Sequence, residues 1–191
     1  MSVPVQRLAE SARPHLLQHF LNLAPDDVRL RFGSHLAPEA ISYYVAGFDF
    51  ASDAVVGVYD HELALSGVAH VAFNGNSAEL GVSVLPGHRG QGIGSALFMR
   101  AAEHARNRFI TRIYMHCLAD NAAMIHIARK AGMAICVEQG EADAFIDVPH
   151  ADAMSLAGEF FGQRLALLDY TLKQHTAALK RITVSLGAKA E

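Results

Sequence analysis

Three features of the sequence predict an α/β fold of the α+β kind: a mixed, mostly antiparallel sheet with helices on both faces and a long C-terminal helix. The first is a series of β-rich runs joined by tight turns across residues 54–86. The second is a glycine-rich turn that leads from the last of these runs directly into a helix-forming stretch. The third is a row of leucines that recurs every seven residues from Leu165 to Leu186.

In order along the chain, Val3 to Leu8 reads as a first strand, and Ser11 as the cap of a helix that runs through Leu23. Pro25-Asp26-Asp27 opens a second helix, through Phe32, with acidic residues in its first turn, and Pro38-Glu39 a third, to Ala46. Ala54–Tyr59 and Glu62–Phe73 are β-rich and joined by an Asp60-His61 turn. In the second run Leu63, Leu65, Ala69, Val71 and Phe73 fall on one face by period two. Asn74-Gly75 is a hairpin signal leading into the Glu79 strand, where Leu80, Val82 and Val84 alternate with Gly81 and Ser83 until Pro86-Gly87. Ile110–Cys117 follows the Ser95–Asn107 helix and is therefore expected to lie parallel to the Glu79 strand. A helix over Asn121–Ala131 ends at Gly132, and Ala134–Val137 and Ala144–Val148 close the sheet. These boundaries divide the chain into a domain over residues 1–150 and a helical appendage over 151–191.

The turn between the Glu79 strand and its helix holds glycine at every second position: Gly90, Gly92 and Gly94. Unhindered backbone N–H groups at a helix N-terminus make an anion cradle. A Walker A loop would need Lys followed by Ser or Thr, and Ile93-Gly94-Ser95 has no lysine. A dinucleotide fingerprint from Gly90 would need glycine where Ser95 stands, and an acidic end to the next strand, which instead ends Tyr114-Met115-His116-Cys117. Arg89-Gly90-Gln91-Gly92-Ile93-Gly94 instead resembles the Arg/Gln-x-x-Gly-x-Gly/Ala signature of the GNAT superfamily of acetyl-CoA-dependent N-acetyltransferases. A second block, Asn121 to Gly132-Met133, is similar to that family's helix opening on Asn and closing on Gly-Phe. The resemblance covers residues 3–148. Asp27 to Phe32, with Asn121 and Met124, further resembles the protein-lysine branch, in which an Arg-Phe segment borders the acceptor site. Packing by Leu30 and Phe32 with solvated Arg29 and Arg31 accounts for the same segment.

The resemblance implies the GNAT fold and acetyl-CoA as the acyl donor. It implies a pantetheine arm beside Val82 and Val84, and a pyrophosphate on Arg89, Gly90, Gln91, Gly92, Ile93, Gly94 and Ser95. Asn121 either contacts the pantetheine or caps its helix. Glu79 matches the glutamate that some members use as general base, and His116 is the alternative base, ending the neighbouring strand. The position at which many members carry a tyrosine acid is Ala128. A thiol leaves well without one, its pKa being roughly 8.5. The implied acceptor is a primary amine, a protein lysine or a small molecule; the competing class is a non-catalytic acyl-CoA-binding regulatory module.

From Asp152 to Leu186 the sequence reads as one helix. Leu165, Leu172, Leu179 and Leu186 form one line, with Phe161, Leu168, His175 and Ile182 beside it. A narrow seam of this kind suits another helix, which predicts a homo-oligomer built through the C-terminal helix. The 191 residues carry a net charge of −3, which gives no electrostatic case for nucleic acid. No apolar run reaches the ~18 residues needed to span a bilayer, and the N-terminus lacks the pattern of a signal peptide. With two cysteines in neither metal nor disulfide spacing, a cytoplasmic protein is expected. His15 and His19 share a helix face without a third ligand, so no metal site is expected.

Overall fold

The computed structural model describes residues 3–187, with side chains to residue 181. Seven strands form one sheet in the order β1-β2-β3-β4-β5-β7-β6: Gln6–Arg7, Ala54–Tyr59, Leu65–Asn74, Ser77–Val84, Arg112–Leu118, Ala134–Glu138 and Glu141–Asp147 are β1 to β7. The first four make the expected meander, and Gly75, in a left-handed conformation, makes the two-residue hairpin between Asn74 and Ser77. β5 runs parallel to β4, as the helix between them requires. This pairing covers only Ser77–Glu79 against Arg112–Tyr114; β4 then continues to Val84 and β5 to Leu118 unpaired with each other. The opening in the middle of the sheet begins there.

Each face of the sheet carries its own core. Val56, Ala69, Val71, Leu80 and Val82 pack under Leu97, Phe98 and Ala101 of α4 (Ile93–Arg106) and Met124 and Ala128 of α5 (Ala122–Lys130). On the other face Val55, Leu65 and Val68 pack under α1 (Arg13–Leu21), α2 (Pro25–Phe32) and α3 (Pro38–Ala46), around Leu16, Phe20 and Val45. The period-two reading of β3 fails at one point. The register skips Ser66 opposite Val58/Tyr59, and this bulge moves Leu65 onto the face of Val68, away from Ala69 and Val71. Leu63 precedes the strand altogether, at a φ of 64° in a turn held by the Asp60 carboxylate, which accepts from the N–H groups of Glu62 and Ala64.

The C-terminal helix α6 (Ala153–Gly187) docks on its own domain through a polar, small-residue stripe. The Glu159 carboxylate accepts from His104 and from Asn107 Nδ2, the latter at 2.6 Å. Gln163 accepts from the Arg7 N–H at 3.0 Å, Ala166 is buried, and Lys173 Nζ donates to the Tyr59 carbonyl at 2.7 Å. Phe161, Leu165, Leu168, Leu172 and Leu179 point away, all more than 60% exposed. Ile182 and Leu186 of the predicted seam lie outside the described side chains. Among the described residues no helix is long and apolar enough to cross a membrane.

Candidate functional site

The site begins where β4 ends. Gly90 and Gly92 adopt left-handed φ values of 73° and 79°, which other L-residues rarely tolerate, and Gly92 caps α4. The turn thus brings the free N–H groups of α4's first turn to one side of the opening. A cleft of about 630 Å³ lies between this turn, the Val82–Val84 segment of β4, α2 and the N-terminal half of α5. Of the residues that the sequence nominates, Val82, Val84, Arg89, Gly90, Gly92, Ile93, Gly94, Ser95 and Asn121 all line it. Gln91 does not; its amide donates to the Gly87 carbonyl at 3.5 Å on the outer side of the turn.

Three polar links tie α2 across the cleft. Arg89 pairs with Asp27, and Arg29 with Asp120 at 2.8 Å. The buried Asn121 accepts from the Met124 N–H at 3.1 Å, capping α5, and donates to the Leu30 carbonyl at 3.1 Å. Both ends of its amide are therefore engaged by the protein. Asp27 keeps one buried carboxylate oxygen without a partner.

Glu79, Gly81 and Ser83 point to the opposite face of β4 from Leu80 and Val82. Glu79 is exposed and lies outside the cleft lining. Ser83 lines the cleft and is bonded at 2.8 Å to Nε2 of His19 from α1. His19 Nδ1 lies 2.8 Å from the Leu65 carbonyl, which can only accept, so Nδ1 carries the proton and Nε2 accepts from the Ser83 hydroxyl. The Ser83 hydroxyl proton is thereby committed to His19, and its oxygen keeps acceptor capacity. Burial pushes the His19 pKa down to about 4, which keeps the ring neutral.

Over Gly81 lies the guanidinium of Arg31, which donates from Nη2 to Tyr44 Oη at 3.0 Å. Tyr44 Oη lies 3.4 Å from His70 Nδ1, and His70 Nε2 lies 2.9 Å from the Asp53 carboxylate. Because the carboxylate only accepts, the chain of donors runs from Arg31 to Tyr44 to His70 to Asp53. Burial lowers the His70 pKa, against the pull of Asp53, and raises that of Tyr44. His116 sits on the open sheet face beyond Glu79, half exposed and 2.8 Å from Asp143, and this hydrogen bond raises its pKa. Ala128, on the inner face of α5, is buried in the core.

Asp27, Ser83 with His19, and the Tyr44–His70–Asp53 chain escape a linear reading of the sequence. The one local sign is Gly81, a glycine inside a strand, which marks a close approach by another group. His15 and His19 do not converge on a common ligand position, since His19 is spent on Leu65 and Ser83 while His15 lies beside Tyr59.

The acetyltransferase (GNAT) family matches residues 15–133. Streptothricin acetyltransferase of Streptomyces lavendulae is 37% identical over 78 residues, which are 40% of this chain and 41% of that protein's length. The crystal structure of the GNAT domain of S. lividans PAT shares the fold at a TM-score of 0.65 and 20% identity, over 75% of this chain and 89% of that one. A putative acetyltransferase from Salmonella typhimurium, solved with its cofactor acetyl-CoA, does so at 0.60 and 15%, over 78% and 95%.

The His19 geometry makes a stability prediction. Its folded pKa of about 4 lies below the ordinary 6.5, so the unfolded chain takes up the proton first. This group's contribution is present above pH 6.5 and is lost as pH falls to 4, up to about 3 kcal/mol. Urea unfolding should show that the difference in stability between the wild type and His19→Gln shrinks over that interval. A constant difference would contradict the buried neutral ring.

Proposed function

The chain belongs to the acetyltransferase (GNAT) family, and on that premise we propose that it is an N-acetyltransferase that passes the acetyl group of acetyl-CoA to a primary amine in a ternary complex. The observation that carries this reading is the left-handed Gly90/Gly92 turn at the head of α4, opening onto a cleft where β4 and β5 part company. A pyrophosphate fits the N–H groups of residues 89–95, with Arg89 exchanging Asp27 for phosphate oxygens. The pantetheine takes the place of a strand beside Val82 and Val84. Residues 1–150 carry the catalytic domain, residues 151–191 are an appendage that contains α6, and the protein works in the cytoplasm.

Acyl transfer needs a free amine lone pair and a stabilised carbonyl oxygen. Glu79 is the base, acting directly or through one water from the face of β4 that also carries Gly81 and Ser83. His116 is the weaker candidate, because Asp143 favours its protonated form, which has no lone pair to offer. With Ala128 in place of a phenol, the thiolate takes its proton from solvent. The acceptor is a small-molecule amine or a protein lysine. The Arg29–Phe32 segment, facing the cleft through Arg31, supports the lysine branch, and the 37% identity to streptothricin acetyltransferase supports a small molecule.

Acetyl-CoA at a hundredfold excess over its dissociation constant should stabilise the fold by ~2.7 kcal/mol. Gly92→Glu, which places a side chain and a negative charge in the cradle at a left-handed position, should remove that thermal shift. A variant that still shifts moves the site elsewhere. Glu79→Gln should slow transfer about 10²-fold or more, with acetyl-CoA affinity unchanged. Wild-type turnover in that variant would hand the role of base to His116 or to the substrate. A wild type that binds acetyl-CoA and acetylates no amine in single-turnover assays would instead be an acyl-CoA sensor.

We also propose that two copies associate through the outer face of α6. Burying its exposed Phe161, Leu165, Leu168, Leu172 and Leu179 would stabilise by about 1.5–3 kcal/mol per side chain. Sedimentation at micromolar concentration should give a dimer, and Leu168→Glu with Leu172→Glu a monomer. A wild-type monomer overturns the proposal.

A further inference from the structure

Arg31 occupies an unusual position. Its guanidinium lies flat on β4 at Gly81, where a β-carbon would collide with it, and it lines the cleft. Gly81 is two residues past Glu79, the last β4 residue paired with β5, so the charge sits at the apex of the opening. Phe32 and Tyr44 flank it, with ring centroids 5.2 and 5.9 Å from the guanidinium carbon. Only Nη2 is used, by the neutral Tyr44 hydroxyl. Nε is buried without a partner, and Nη1 makes no hydrogen bond among the described residues.

No carboxylate among the described residues is within ion-pair distance of it. Asp27, one turn earlier on α2, is taken by Arg89, and Asp53 reaches it only through His70 and Tyr44. Of the arginines among the described residues that line the cleft, Arg89 holds a carboxylate and Arg31 holds none. A guanidinium held in an aromatic box, with spare donors and no counter-ion, is a half-finished ion pair.

We propose that Arg31 is the specificity group at the reactive end of the cleft and completes its ion pair with a carboxylate carried by one of the two substrates. The inference rests on the acyl-transfer reading. The carboxylate comes either from the amine acceptor, which is then of the amino-acid class, or from the acyl chain, which is then a dicarboxylic monothioester. The planar fork of arginine matches a carboxylate's two oxygens, and a charge-assisted pair of this kind discriminates by about tenfold or more.

The test compares matched substrates on the full chain. Arm one sets ω-amino acids of increasing length against alkylamines of equal length, with acetyl-CoA as donor. Arm two sets succinyl-CoA against butyryl-CoA with one amine. In each arm kcat/KM is measured, and binding of the same compounds is read by thermal shift, so that turnover is not required. A wild-type preference of about tenfold or more for the carboxylate in one arm, abolished in Arg31→Met, supports the proposal and names the source. Arg31→Lys, which keeps the charge but loses the fork, should lose most of the preference, and it stands in if the methionine variant does not fold. Coenzyme A binding by the variants shows that a lost preference is not lost folding. A wild type that fails to bind coenzyme A overturns the functional reading. A coenzyme A-binding protein with no carboxylate preference in either arm, or with one indifferent to Arg31, overturns this inference alone.

Discussion

The structure depends on three residue pairs of parallel sheet. Ser77–Glu79 of β4 hold Arg112–Tyr114 of β5, and beyond them the two strands separate while each keeps its other neighbour. A strand inside a sheet alternates its backbone groups between two partners, and buried groups of this kind do not stay unpaired. Past Glu79, β4 has lost one of those partners. Cores on both faces hold the strands in place, so the sheet does not close to repair the loss. The unpaired edge is thereby available to an extended ligand, and the glycine turn that follows β4 brings the free N–H groups of α4's first turn to its end.

Helix α2 sets the width of the opening. It reaches one wall through Asp27 and Arg89 and the other through Arg29 with Asp120 and Leu30 with Asn121. These links are not equal. Asp120 is well exposed, and such a solvent-screened pair contributes little, whereas the hydrogen bond from the buried Asn121 amide is expensive to leave unmade. The Arg89 pair is the one that an anionic ligand competes for, since phosphate oxygens can take the place of Asp27 on the half-exposed guanidinium. The α5 side of α2 is therefore the firmer anchor, and the side facing the glycine turn is the one that an anion bound as proposed would rearrange.

How much of this is legible in the sequence follows from the range of each interaction. The hairpin at Asn74-Gly75, the glycines before α4 and the Asn121 cap are local, and each is readable from a few neighbouring residues. The strand phase of β3 fails because a single extra residue, Ser66, moves Leu65 to the other face, a bulge that shows only in the pairing with β2. Helix α6 carries two usable faces, and its heptad leucines hide the stripe from Ser155 to Lys173 that docks it. That stripe finds Asn107, Arg7 and Tyr59 at sequence separations of 48, 156 and 114, which no periodicity encodes. The same holds for His19 with Ser83, 64 residues apart. Local chemistry outlines the glycine-turn end of the cleft, and only tertiary packing assembles the end where Arg31, Ser83 and His19 lie.

Charge at that second end has a consequence for the chemistry proposed. An ammonium cannot attack a thioester, so the site must favour the neutral amine. A nearby carboxylate alone would do the opposite, holding the proton on nitrogen. Glu79 is exposed and outside the cleft lining, two residues before Gly81, whereas Arg31 is inside the cleft over Gly81, and His19 behind Ser83 is kept uncharged by burial. An amine that moves inward from Glu79 therefore leaves a field that stabilises its cation for one that destabilises it. With Glu79 as the proposed base, the proton would pass to the carboxylate on the outside, and the lone pair would emerge next to Ser83, whose oxygen keeps acceptor capacity for a remaining N–H. On this argument base and cation act as a pair. A substrate carboxylate that neutralises Arg31 weakens the second half of the pair while improving binding, so an anionic substrate gains more in KM than in kcat.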